Sequence, residues 1–369
     1  MYKRQDNVDS KNVAYTDEEF EVLQSSLNLP LEALDYTLQL PEHLGNSRVA
    51  SSKHQATLGR VLFYDKKLSK NESVSCATCH EAEKAFADGK ALSEGFDEEL
   101  TKRNSLALGS FPSFNAYYGF GGTFMFWDER ATTVSEQSRL TIADPIEMGH
   151  PNLVQLANEL LEHEYYRILF EKAYPEDQFG SNLANDEKML QAIDAFVSSI
   201  GSFETRFDDG WATHNNDKTT FSNFTQEENL GKNLFNDNCA SCHNLGPGFA
   251  TTITSANNGL EMDYEDKGMY DINGQTQSKG VFKVPMLRNV ALTDPYMHDG
   301  RFETLEEVVE HYNSGVVTHE NLHGNLKNFD GSARHMNLNQ EQKDALVAFL
   351  HTLTDSESLL QEKYADPFK

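Results

Sequence analysis

One five-residue pattern, present twice, constrains this chain more than anything else in it. Cys76-Ala77-Thr78-Cys79-His80 and Cys239-Ala240-Ser241-Cys242-His243 both read C-x-x-C-H, and together they use all four cysteines. This is the attachment signature of a c-type haem. Two thiols on one helical turn reach the two porphyrin vinyl groups and form thioethers. The histidine that follows lies under the ring as the proximal iron ligand. A zinc site or a C-x-x-C redox pair would also use paired cysteines. Either would leave the adjacent histidine unexplained in both places. The expectation is two covalent haems, at Cys76, Cys79 and His80 and at Cys239, Cys242 and His243.

With 369 residues the chain is long enough for two cores, and the separation of the pentads suggests one haem in each. The formal net charge of -27 argues against nucleic acid or an anionic membrane as partner and allows a basic redox protein. No cysteine is left for a disulfide, so cysteine usage does not report the compartment. Haem attachment does, because in bacteria it takes place outside the cytoplasmic membrane. The start, Met1-Tyr2-Lys3-Arg4-Gln5-Asp6, has no apolar signal core, and no run is long enough to span a bilayer. A periplasmic protein with its export signal absent is the expectation.

Residues 1–45 read as a polar N-terminal extension. A capping box at Thr16 and Glu19 opens a helix through Leu27, and Pro30 ends it. Leu58-Gly59-Arg60-Val61-Leu62-Phe63 precedes the first pentad, and Leu230-Gly231-Lys232-Asn233-Leu234-Phe235 precedes the second. This internal repeat is a helix that delivers the chain to a haem, with Arg60 and Lys232 either facing propionates or solvated. Gly and aromatic residues are dense from Gly109 to Trp127. Asn152 caps a helix carrying Leu153, Leu156, Leu160 and Leu161, and Leu190, Ile193, Phe196, Val197 and Ile200 keep helical spacing. The polar stretch 208–222 is the expected boundary, giving units 46–215 and 216–369. In the second unit a Gly- and Asn-rich loop from about 246 to 280 leads to Phe282 through Gly300. A capping box at Thr304 and Glu307 then opens a helix to about Asn313, and a last helix runs from about Gln340 to Leu353.

Leu305, Val308, Val309 and Tyr312 fall at i, i+3, i+4 and i+7, so Tyr312 shares the apolar face. His311 falls off that face, towards Glu307 and Glu310. A buried phenol with an ordinary hydrogen bond is the plain reading of Tyr312. Met336 precedes the last helix, roughly where single-haem cytochromes place a methionine ligand. Met297 and His298 are weaker rivals.

From about residue 50 to 355 the chain resembles the bacterial diheme cytochrome c peroxidase family, and within it the MauG-like branch. The resemblance rests on both pentads, their lead-in, Arg103-Asn104, Phe126-Trp127-Asp128, Glu136-Gln137, Pro145-Ile146-Glu147-Met148, and Val284 through Gly300. It implies a mostly α fold with two cytochrome c-like haem domains and long loops. It also implies that hydrogen peroxide reacts at the N-terminal haem, held by His80. Electrons arrive through the haem held by His243, from a small cytochrome or copper protein. Trp127 matches the tryptophan between the haems. Glu147 matches the acid over the open face of the first haem, with Gln137 beside it, and a carboxylate in reach can move the peroxide proton. Asn104, with the backbone carbonyls of Thr293 and Pro295, matches a calcium site between the domains.

Three departures from the peroxidases matter. Between Glu81 and Lys102 there is no histidine to cap the first haem, the matching place being near Phe96, so its sixth position is expected open; His54 and His150 are the fallback ligands. Trp127-Asp128-Glu129-Arg130 stands where Trp-Asp-Gly-Arg is usual, which leaves that turn's geometry open. The methionine ligand of the second haem is replaced, and the aligned residue is Tyr312, the mark of the MauG-like branch. A peroxidase is therefore the leading expectation. A MauG-like oxidase that draws electrons from a protein or organic substrate through a high-valent diheme state is the second. A plain electron-transfer cytochrome is the third.

Overall fold

Two pairs of crossed helices carry the architecture of the computed structural model, which describes residues 14–42, 48–49, 51–109, 124–177, 185–214, 216, 218–243 and 255–369. The helices are α1 (Asp17–Ser26), α2 (Lys53–Tyr64), α3 (Cys76–Cys79), α4 (Val134–Ala143), α5 (Leu153–Leu160), α6 (Glu164–Ala173), α7 (Asn185–Val197), α8 (Arg206–His214), α9 (Gln226–Asn238), α10 (Tyr270–Asn273), α11 (Leu305–Glu310) and α12 (Gln340–His351). Two-residue strands make two antiparallel pairs, Leu38–Gln39 with Arg48–Val49 and Ser255–Ala256 with Phe282–Lys283. The fold is thus mostly α, with long connections. Most of the glycine- and aromatic-rich run after Gly109 (110–123) lies outside the described residues, as does 244–254 around the start of the second long loop.

The internal repeat is a helix-crossing device. At Gly59 an added Cβ would lie 1.9 Å from the Ala192 carbonyl oxygen and 2.9 Å from Phe196 Cβ. At Gly231 it would lie 1.8 Å from the Ala345 oxygen and 2.8 Å from Phe349 Cβ. Both glycines let one backbone touch another, α2 on α7 and α9 on α12. The repeat's phenylalanine completes each contact: Phe63 meets Phe196, and Phe235 meets Phe349, each with ring centroids 5.2 Å apart. Because the obstacle is backbone, it cannot swing aside. Gly231→Ala is expected to lower stability by about 1–3 kcal/mol, as overpacking does. A urea midpoint equal to that of the parent protein would show that the crossing tolerates the methyl.

Arg60 and Lys232 of the repeat neither face solvent nor line a haem cavity, which corrects both readings of them. Each is almost wholly buried. Arg60 Nε donates to the Ala365 carbonyl at 2.6 Å, and the Lys232 ammonium sits 4.8 Å over the Phe221 ring. Residues Ala56 through Phe63 are all buried, so α2 offers a charge no wet face.

The first core gathers α2, α5, α6 and α7. The described part of the segment read as a polar extension, residues 14–42, is built into it, because Tyr15, Leu23, Leu27 and Tyr36 are buried there. The capping box at Thr16 and Glu19 is formed. The chain's last residues return to the same core: Leu359 and Tyr364 are fully buried in it, and the Tyr364 hydroxyl donates to the Ser199 carbonyl at 2.6 Å. A unit drawn as 216–369 therefore gives its tail to its neighbour. The second core holds α8, α9, α11 and α12 through Phe207, Phe235, Val309, Leu346 and Phe349. The box at Thr304 and Glu307 opens α11, but the α-helix stops at Glu310 and continues as a π-turn, His311–Gly315.

Candidate active site

A cavity of about 650 Å³ opens beside the first pentad, walled by Cys76, Cys79 and His80. The chain prepares that histidine. Ala85 and Phe86 take left-handed conformations, φ 52° and 61°, which turn the backbone under the ring. The Phe86 carbonyl then accepts from His80 Nδ1 at 2.7 Å, and the Ser105 hydroxyl ties back the Cys79 carbonyl at 2.6 Å. With its proton held on Nδ1, the ring presents Nε2 as a lone-pair donor. Burial lowers the His80 pKa and favours the neutral form that a metal needs. Burial pushes the thiols the other way: Cys76 up to about 12 and Cys79 up to about 11. A zinc or redox cysteine needs a stabilised thiolate. No three His, Cys, Asp or Glu side chains converge on a common point among the described residues. The donor set fits a thioether-linked haem.

Glu147, Gln137 and Trp127 line this same cavity. Gln137 and Thr141 are one turn apart on α4, and the Gln137 amide donates to the Thr141 hydroxyl at 2.9 Å. Asp144 caps the following turn, accepting from the amides of Ile146 at 2.8 Å and Glu147 at 3.0 Å. Burial, then the Asp144 charge, pushes the Glu147 carboxyl above the usual range, while Thr141 and Arg130 pull it down. Among the described residues His80 is the only histidine on this wall. At the place of the missing capping histidine, the Phe96 amide donates to the Glu147 carbonyl at 3.0 Å. His54 packs edge-on to Tyr15, His150 lies 3.9 Å from the Glu159 carboxylate, and neither lines the cavity.

A second cavity, of about 200 Å³, is lined by Cys239, Cys242, His243, Met336 and Tyr312. Burial lowers His243 to about 4 against the opposing pull of the Pro285 carbonyl, and raises Cys239 to about 12. The His243 Nδ1 is buried with no hydrogen bond of good geometry. Tyr312 stands on the wall with Leu305, Val308 and Val309, and burial pushes its phenol up to about 12. Its hydroxyl lies 3.5 Å from the Asn258 amide nitrogen. The Met336 amide reaches the Tyr312 carbonyl at 3.4 Å, so the two rival ligands are neighbours. His311 is buried, not turned towards Glu307 and Glu310, and its Nε2 meets the Asn258 carbonyl at 3.1 Å. His311 itself keeps the α-register, its amide reaching the Glu307 and Val308 carbonyls, and it opens the π-turn.

Trp127 lines both cavities. It is pinned from each side: its indole N–H donates to the Asn104 carbonyl at 2.9 Å, and its own carbonyl accepts from the Lys283 amide at 2.7 Å. The turn that bears it keeps a glycine-like shape, because Glu129 adopts φ 58°. A side chain there costs about 1–2 kcal/mol relative to glycine. Buried Asp128 helps to hold the turn, receiving Arg103 at 2.5 Å and Arg130 at 2.9 Å, and Arg103 reaches on to Asp266 at 2.6 Å. His298 stacks on Phe282 at 3.8 Å and meets Trp127 edge-on at 6.5 Å.

Asn104, Thr293 and Pro295 all lie on the first cavity's wall. The Asn104 side-chain amide donates to the Lys90 carbonyl at 2.8 Å. Three residues of the site went unread in the sequence. Ser105 and Asn258 are single polar residues in loops, with no periodic signal. Lys283, which lines both cavities, stood inside a quoted motif without a role.

Comparison with known proteins agrees with this geometry. The profile of the di-haem cytochrome c peroxidase family matches residues 53–217 and 225–366. The methylamine utilization protein MauG of Paracoccus denitrificans is 32% identical, over 84% of this chain and 91% of its own. The cytochrome c551 peroxidase of Nitrosomonas europaea is 31% identical, over 81% and 79%. A solved MauG-like protein associated with microbial copper homeostasis superposes with a TM-score of 0.71 at 30% identity, covering 86% of this chain and 94% of that one. The diheme peroxidase of Burkholderia thailandensis shares the fold, with a TM-score of 0.67 over 87% of this chain and 89% of that one, at 23% identity.

Proposed function

This chain belongs to the di-haem cytochrome c peroxidase family, and from that premise we propose that it reduces hydrogen peroxide at a haem bound by Cys76, Cys79 and His80. Cys239, Cys242 and His243, on the wall of the other cavity, would hold a second haem as the entry point for electrons. Both haems are covalent, through thioethers to the paired cysteines. When bound, the first haem supplies the iron at which the peroxide O–O bond breaks, and the second relays electrons to it. The observation that carries this reading is the wall of the first cavity: a half-buried carboxyl, Glu147, faces a space whose only described histidine is His80.

The chain's own residues have distinct tasks. Glu147 takes the proton from one peroxide oxygen and returns it to the other. Gln137 orients the small substrate. Trp127, on the wall of both cavities, carries electrons between them. Cations on the walls, Arg103, Arg130 and Lys283 for the first cavity and Lys283 and Arg334 for the second, take the propionate role that Arg60 and Lys232 do not fill. Asn104 with the carbonyls of Thr293 and Pro295 holds one calcium ion between the two units, whose boundary we place near residue 216. The protein works in the periplasm, and a basic cytochrome or copper protein is the donor suited to a chain of net charge -27. Among the described residues no helix is long and apolar enough to cross a membrane.

The test is the all-ferric protein. With no capping histidine, it is expected to show a high-spin ferric signal by electron paramagnetic resonance. It is also expected to react with peroxide without prior reduction, and to turn over peroxide when a small redox protein is supplied. Two low-spin signals and no reaction before reduction would reject the open site.

A second reading, the MauG-like oxidase acting on a protein or organic substrate, is favoured by one observation: Tyr312 on the second cavity's wall. Tyrosinate is an anionic oxygen donor that stabilises ferric iron, whereas a thioether raises the potential. If Tyr312 is the ligand, spectroelectrochemical titration will find a low-potential second haem, and Tyr312→Met will shift it markedly upward. A potential already in the methionine range, unmoved by the substitution, would pass the role to Met336 and strengthen the ordinary peroxidase reading.

A further inference from the structure

Asn258 occupies an unusual position among the groups around the second cavity. It lies on the cavity wall two residues after the strand Ser255–Ala256. Its side-chain amide nitrogen is 3.5 Å from the Tyr312 hydroxyl and 3.4 Å from the Met297 sulfur. A primary amide has two N–H donors, so one Asn can serve both acceptors at once. Its backbone is fixed from several sides. The carbonyl of Asn258 accepts from His311 Nε2 at 3.1 Å, which ties it to the π-turn that carries Tyr312. The preceding residue, Asn257, is fully buried, and its side-chain oxygen receives the Gly259 amide at 2.9 Å and the Tyr264 hydroxyl at 3.3 Å. The amide is thus presented by a rigid loop.

We propose that Asn258 is a positioning residue for the second haem: its amide donates to the Tyr312 oxygen, holds it on the metal side of the cavity and sets how strongly that oxygen donates electrons. This rests on the reading of Tyr312 as the iron ligand. A hydrogen bond to an ionised oxygen is about twice as strong as one to a neutral group. The Asn258 contact therefore tightens when Tyr312 carries charge. By drawing electron density from the oxygen it weakens donation to iron, and so moderates the low potential that a bare tyrosinate would impose. The same amide engages Met297, which stands on the wall of both cavities, and keeps this sulfur from competing for the position.

The experiment compares the holoprotein with Asn258→Leu, Asn258→Ala and Tyr312→Phe, each shown by intact mass to carry two haems. Two variants at 258, one near the size of Asn and one smaller, guard against a packing artefact. The readouts are the midpoint potential of each haem and the iron–oxygen stretch of the second haem by resonance Raman. Both Asn258 variants are expected to shift the second midpoint downward and the stretch to higher frequency, leaving the first haem unmoved. If Tyr312→Phe alters the second haem while both Asn258 variants leave potential and stretch unchanged, the role of Asn258 is overturned and that of Tyr312 stands. If Tyr312→Phe changes neither readout, the ligand assignment fails and this inference fails with it.

Discussion

Glu147→Gln will react with hydrogen peroxide roughly a hundredfold or more slowly than the parent protein, with both haem spectra intact, because general acid–base catalysis contributes on the order of 10² to 10⁴. The substitution keeps the side chain's volume and hydrogen-bonding reach and removes only the capacity to accept and return a proton. The surroundings of Glu147 suit that task. Burial and the neighbouring Asp144 raise its pKa above 4.5, and Thr141 with Arg130 keep part of the ionised form. The sign of the pH dependence follows. Below its raised pKa the carboxyl is already protonated and cannot take the peroxide proton, so the rate falls as pH drops through a value above 4.5. That acid limb is expected to vanish in Glu147→Gln. Rapid mixing of oxidised protein with peroxide across pH measures both effects. A rate within a few-fold of the parent, with the limb retained, would move the proton transfer to another group.

Much of this site was legible because its chemistry demands fixed spacing. Two thiols and a histidine must fit one haem, so the pentads announce it. Tyr312 could be placed because Leu305, Val308 and Val309 define a face, and that face does line the second cavity. Residues whose position depends on how the elements pack were not legible. Arg60 looks like a surface charge until α2 is seen to be buried along eight consecutive residues, and Lys232 until α9 is seen to bury it with Gly231 and Phe235. The first 45 residues read as polar because a few anchors, Leu23, Leu27 and Tyr36, are diluted among charges. His311 was misplaced because the loop residue Asn258, whose carbonyl meets its Nε2, packs over that side of the helix, a contact that no periodicity announces. Glu129 adopts a left-handed conformation, which glycine takes without strain and which a spacing pattern does not announce for a glutamate.

The largest stability effect is expected at a buried ion pair beside the start of α8. Arg288 and Asp208 form a two-pronged ion pair, with both nitrogen–oxygen distances 2.7 Å, and both side chains are almost wholly buried. Asp208 also accepts from the Thr205 hydroxyl at 2.6 Å and its amide at 3.1 Å, fixing the start of α8. Next to Arg288, the Asn289 amide donates to the Ser202 hydroxyl at 2.8 Å, while its side-chain oxygen accepts from the Asp355 amide at 2.7 Å. Three segments distant in sequence, 202–208, 288–289 and 353–358, are thereby locked together. A buried pair repays its desolvation only while both members are present, and removing one leaves a charge in a dry place at a cost of about 3–5 kcal/mol. Arg288→Met and Asp208→Leu should each lose about that much in urea unfolding followed by tryptophan fluorescence. Raised salt should not reproduce the loss, since ions do not screen a buried pair. The double variant should recover a large part, because it leaves no orphan charge. Arg288 also lines the first cavity, so intact mass must confirm both haems before the energies are compared. Single losses below about 1 kcal/mol, or a double loss equal to the sum of the singles, would mean that water or another polar group takes over the missing partner and that the lock lies elsewhere.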